Sequence, residues 1–121
     1  MRRVVDGNML MIQGSNKRLE IRTCIEGDDV FLELSGSVTA ELENDLIDEI
    51  LAFVSVGKNV KLDMKKMDHI SSTCQKKLVE AEIGYVEKKG TTLELYNVTP
   101  RMYALFRSSR LDTQLRIRRE E

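Results

Sequence analysis

The chain has 121 residues, enough for one domain with a modest hydrophobic core that needs no covalent or metal staples. With 41% hydrophobic and 32% charged residues and a formal net charge of −1, it lacks the basic excess that draws a protein to nucleic acid or anionic membrane. Two distant cysteines, Cys24 and Cys74, and the single histidine His69 offer neither a zinc site nor a disulfide framework, so reduced thiols are expected.

In chain order, MRRVVDGNMLMIQG carries two arginines and a short apolar run that Asp6, Gly7 and Gln13 interrupt well before a signal-peptide core or a membrane span could form. Residues 1–17 are therefore expected to be an N-terminal extension or an extra strand, and the protein to be cytoplasmic. From Arg18 to Ile25, Leu19, Ile21, Thr23 and Ile25 alternate with Arg18, Glu20, Arg22 and Cys24, the period-two signature of a strand with one wet face. A turn at 26–29 leads into VFLELSG, where Val30, Leu32 and Leu34 alternate with Phe31, Glu33 and Ser35, which predicts an antiparallel hairpin ending at Gly36.

Between Thr39 and Val56, Leu42, Leu46, Ile47, Ile50, Leu51 and Val54 recur at three- and four-residue spacing, with Glu41, Glu43, Asp45, Asp48 and Glu49 on the rest of an amphipathic helix. NVKLDM follows as a strand, with Val60, Leu62 and Met64 inward, and a loop from Asp68 to Ser71 leads to a second helix over 73–89. Its predicted stripe is Cys74, Leu78, Ala81 and Tyr85, and Gly90 is its C-cap. A strand around Leu93 and Leu95 and a helix after Pro100, with Met102, Leu105 and Phe106 inward, come next, and LDTQLRI reads as a last edge strand or a closing turn. One-sided alternation predicts an α/β (α+β) fold: an open, mixed sheet of four to five strands with helices packed on one face, a right-handed crossover between the third and fourth, and a tail at 118–121.

The stretch MDHISSTCQKKL places three hydroxyls, Ser71, Ser72 and Thr73, between a strand and a helix. Spacing makes Ser72 an N-cap, with Gln75 three residues on completing a capping box, and the same helix start would also stabilise a phosphate. Periodicity leaves both roles open. Asp63, Asp68, His69 and a serine could be imagined as a triad, but no Gly-x-Ser-x-Gly elbow surrounds either serine, and no Walker-type phosphate loop is present. No catalytic residue, metal ligand or cofactor is assigned, and the chain is not expected to be an enzyme.

The runs LSGSVTAELENDLIDEI, NVKLDMKKMDHISSTCQKKL and GTTLELYNVTPRMYALFRSSRLD together resemble a STAS domain of the anti-sigma factor antagonist type, over roughly residues 18–117. That pattern has a strand ending in Leu-x-Gly, a long amphipathic helix, an apolar strand ending in Asp, and an Asp-Ser-Ser-Gly-like turn whose first serine follows the strand Asp by nine residues. Here the strand Asp is Asp63, and the resemblance implies that Ser72 is a phosphoacceptor. It implies a partner surface of Gly36, Ser37, Val38, Thr39, His69, Ile70, Ser71, Thr73 and Cys74. The implied partners are an anti-sigma factor, in the family usually itself a serine kinase, which binds the unphosphorylated domain, and a phosphatase that resets it; neither nucleic acid nor membrane is implied, and the chain is expected to be a monomer or weak dimer. The alternative is a STAS scaffold or ligand-sensing module that works without phosphorylation. The sequence departs from the pattern at Ser71 for Asp, Thr73 for Ser, Cys74 for Gly, Thr39 for Asp and Arg110 for Gly.

Overall fold

The structure, a computed structural model, describes residues 2–120. Seven strands form one sheet in sequence order: β1 (Arg2–Asp6), β2 (Met9–Gln13), β3 (Arg18–Glu26), β4 (Asp29–Val38), β5 (Asn59–Ile70), β6 (Leu93–Val98) and β7 (Arg116–Arg119). The first four are joined as antiparallel hairpins, and β4 through β7 run parallel. The helices are α1 (Glu43–Ser55), α2 (Ser72–Ala81) and α3 (Pro100–Ser108), with a π-helical turn at Glu82–Val86 and a 3-10 turn at Leu111–Thr113.

The sheet is thus wider than the four to five strands expected. The extra width is the N-terminal hairpin and β7. In β2, Leu10 and Ile12 alternate with Met9, Met11 and Gln13 and pair with Ile21 and Leu19, so five residues suffice to extend the core by one strand. The open alternatives in the sequence resolve in the same sense: LDTQLRI becomes the 3-10 turn and the edge strand β7.

Strand β5 runs to Ile70, where a loop from Asp68 was expected. Its buried residues are Val60, Leu62, Met64, Met67 and Ile70, so strict alternation stops at Met64 and resumes twice with a step of three. The cause is two bulges. Glu33 pairs with Asp63 but Ser35 with Lys66, and Gly36 pairs with Met67 but Ser37 with His69, so β5 twice spends one residue more than β4. Asp63 secures the first bulge: its Oδ1 accepts the Lys65 N–H at 3.1 Å and the Asn97 amide at 3.2 Å. Gly36 lies at the second, at φ +103°, and a Cβ there would stand 2.3 Å from the Arg18 carbonyl oxygen, so only glycine fits.

Leu42, Leu46, Ile50 and Val54 of the first helical segment and Cys74, Leu78, Val86, Met102 and Phe106 of the later ones join one cluster with the inward residues of the strands. The alternate strand residues, such as Phe31, Glu33, Lys61 and Tyr96, are only half-buried, as a sheet covered on one face requires. Two inward assignments fail. Tyr85 is 56% exposed, because the π-turn inserts a residue and hands the inward position after Ala81 to Val86. Leu105 is 37% exposed, since Met102 and Phe106 already complete the inward face of the short α3.

The π-turn also buries Glu82. Its Oε1 pairs with Arg116 of β7 at 3.0 Å, while its buried Oε2 has no partner among the described residues. Burial pushes the Glu82 carboxyl up from its usual range in spite of Arg116. A carboxyl raised in the folded state favours folding at acid pH, and that contribution is lost as pH rises through the folded pKa. Glu82→Gln should therefore match or exceed the wild-type stability at pH 7, the difference vanishing below about pH 4 where carboxyls protonate. Arg116→Ala, which leaves the carboxylate alone, should cost about 1–3 kcal/mol. Urea melts at both pH values check this; a Glu82→Gln variant less stable than wild type at pH 7 would mean that the ion pair outweighs the desolvation.

Candidate functional site

Because β4 and β5 are parallel neighbours, they end at the same edge of the sheet. Ser37 pairs with His69 and Val38 with Ile70, and the Ser71 N–H donates to the Val38 carbonyl at 2.8 Å. The segment SVTAE and the turn HISST therefore lie side by side, each leading into a helix.

That last ladder bond holds Ser71 extended, at φ −64° and ψ 151°, so the helix begins one residue later. The N-cap is accordingly Ser71 and not Ser72: the Ser71 hydroxyl accepts the Cys74 N–H at 3.0 Å. Gln75 does not close a capping box. It is buried, its amide donates to the Ile70 carbonyl at 3.4 Å, and its Oε1 accepts from Ser109 at 2.7 Å, which ties the start of α2 to the end of α3. Ser72, as first residue of the helix, is exposed, and its hydroxyl has no hydrogen-bond partner among the described residues.

A carboxylate stands over the turn even though position 71 is a serine. It comes from Glu43 at the start of α1, a buried residue expected to lie on the solvated face. Glu43 Oε2 accepts from Thr73 Oγ1 at 2.5 Å and from Ser71 Oγ at 3.0 Å, while Oε1 pairs with Lys77 Nζ at 2.9 Å; the same Lys77 donates to Asn44 at 2.7 Å. Burial raises the Glu43 carboxyl, but the bonds from Thr73, Lys77 and Ser71 outweigh it and hold the group below the usual carboxylate range. The cluster is therefore charged and intact at neutral pH, and its contribution is lost only as pH falls through the lowered value.

The nine residues implied as partner surface are brought to one end of the sheet but do not all face outward. Ser37, Val38, Ile70 and Cys74 are buried, Gly36, Thr39 and Ser71 are half-buried, and His69 and Thr73 are exposed with Ser72. Cys74, in the glycine position of the pattern, points into the core, and burial pushes its thiol up to about 12. Arg110, in another glycine position, adopts the left-handed conformation at φ +60° that glycine favours. His69 bonds to none of Asp63, Asp68, Ser71 and Ser72 among the described residues, and no group of side chains among them could hold a metal ion. A groove of about 510 Å³ adjoins Ser72, lined among others by Lys76, Val79, Ser109 and Leu111, so the available surface extends along α2 further than the sequence suggested.

The comparisons agree with this fold. The family model "Mlab, STAS domain" matches residues 21–118. The chain belongs to this STAS-domain family. No curated protein matches the sequence. Among solved structures, an anti-sigma factor antagonist from Mycobacterium paratuberculosis is similar at a TM-score of 0.68 and 14% identity, covering 83% of this chain and 85% of that one. The anti-sigma factor antagonist SpoIIAA in its unphosphorylated form gives 0.65 and 15%, covering 80% and 86% of the two chains. A sulfate transporter family protein from Wolinella succinogenes gives 0.65 and 21%, covering 78% and 80%. Among the described residues no helix is long and apolar enough to cross a membrane.

The cap assignment is directly testable. Ser71→Ala should destabilise by about 1–2 kcal/mol, having lost both the cap and a bond to Glu43, whereas Ser72→Ala should stay within about 0.5 kcal/mol of wild type. Denaturant melts of the two variants measure this, and the reverse order would move the cap back to Ser72.

Proposed function

We propose that this chain is a STAS-type protein-binding module that docks an anti-sigma factor through the end of the sheet carrying Ser72, and that phosphate on Ser72 controls the docking. The observation that carries this reading is the isolation of one exposed hydroxyl, Ser72, at the first residue of α2, on the surface where the ends of β4 and β5 meet. The anti-sigma factor antagonists among its structural relatives support the choice of partner.

The first turn of α2, where Ser72 lies, carries no acidic residue of its own. A phosphate adds about −1.5 to −2 charges there and three strong acceptor oxygens. Free N–H groups at the helix start and Lys76, four residues on along the same groove, hold it in place. A partner shaped to bury a neutral hydroxyl then meets a dianion and is released. A kinase, in this reading the partner itself, adds the group, and a phosphatase removes it.

Titration of the purified anti-sigma partner against variants tests the proposal. Ser72→Ala should bind as wild type does, and Ser72→Asp should bind roughly tenfold or more weakly, since the partner surface is shaped for a neutral hydroxyl and an added charge against it costs several kcal/mol. Lys58, whose ammonium donates to the Gly27 carbonyl at the opposite end of β5, provides the control, and Lys58→Glu should change binding less than about twofold. Full binding by Ser72→Asp would favour a scaffold that works without phosphorylation, and equal losses at both ends would place the interface on another face.

A further inference from the structure

Three adjacent hydroxyls, Ser71, Ser72 and Thr73, differ little as nucleophiles, so something must choose among them. We infer that Glu43 makes this choice, by engaging Ser71 and Thr73 and leaving Ser72 as the hydroxyl able to accept a phosphate. The inference rests on the reading of this turn as a modification site and goes beyond it by naming the residue that selects the position.

Phosphoryl transfer from a kinase-bound ATP forms an O–P bond at the attacking hydroxyl, breaks the bond to the departing ADP and gives the hydroxyl proton to a base of the kinase. At Ser71 and Thr73 that proton is already donated to Glu43 Oε2, at 3.0 and 2.5 Å. Ser71 has in addition committed one of its two lone pairs to the Cys74 N–H. A phosphate on either residue would set a dianion against a buried carboxylate whose one cationic partner among the described residues is Lys77. At Ser72, which has no bond to Glu43, the same group meets the exposed start of α2 and Lys76 of the adjoining groove in place of a carboxylate. Glu43 is thus a positioning residue and takes no part in the transfer.

The test installs phosphoserine during synthesis at position 71 or 72, or phosphothreonine at 73, one at a time in the full chain, and measures unfolding by urea. With phosphate at 72 the unfolding constant should stay within about threefold of wild type, and with phosphate at 71 or 73 it should rise roughly tenfold or more. The result at 71 is especially telling, since phosphate at a helix N-cap is otherwise stabilising. In a Glu43→Gln background the penalties at 71 and 73 should shrink. Should that background fail to fold, Lys77→Met replaces it: with the facing cation gone, the penalties at 71 and 73 should grow while that at 72 stays put. Equal tolerance at the three positions, or penalties indifferent to both backgrounds, would overturn the role of Glu43. That outcome leaves the docking proposal standing, whereas normal partner binding by Ser72→Asp would sink the docking proposal and leave this one standing.

Discussion

The parallel pairing of β4 with β5 is the constraint on which the rest of this molecule depends. Parallel neighbours end at one edge of the sheet, so the segment after β4 and the turn after β5 cannot avoid each other. Two bulges let the longer strand keep pace with the shorter one while turning Met67 and Ile70 into the core, and the final ladder bond from Ser71 to Val38 sets where α2 may start. One register thus determines which serine caps the helix and which is left outside.

Glu43 links that register to the second layer. A buried carboxylate is costly unless its oxygens are bonded, and here two hydroxyls and an ammonium supply the bonds from residues that the start of α2 presents together. The two helices that begin at this edge are therefore coupled through a polar contact as well as through the apolar cluster beneath them. At the other end of α2 the solution is weaker: Glu82 is buried with one oxygen unpartnered, and its tie to Arg116 holds the edge strand β7 to the π-turn. Polar burial secures the edge that carries Ser72 and merely closes the opposite one.

Much of this was legible in the sequence. Period-two alternation located β3, β4, β6 and the first part of β5, and the three- and four-residue spacing located α1 and α2, because each of these segments has one wet face. What escaped had no local signal. The bulges in β5 break alternation after Met64, and without knowledge of β4 that break reads as a loop. The π-turn displaces the stripe by one residue, which exposes Tyr85 and buries Val86. The cap moved from Ser72 to Ser71 because a bond to a residue far back in the chain, Val38, outranked the local capping box. Glu43 did leave a trace: it is in phase with Ile47, Ile50 and Val54 on α1, and a glutamate on an apolar stripe asks for buried partners. Which partners these were, some thirty residues downstream, only the fold could say.

Ser72 carries the one hydroxyl of the turn without a hydrogen-bond partner among the described residues, and the most direct test of its role is phosphosite mapping by mass spectrometry on the protein purified from the cells that make it. Phosphate confined to Ser72 is the expected result. Phosphate on Ser71 or Thr73 would contradict it, because either would require the carboxylate of Glu43 to give up the hydroxyl it holds.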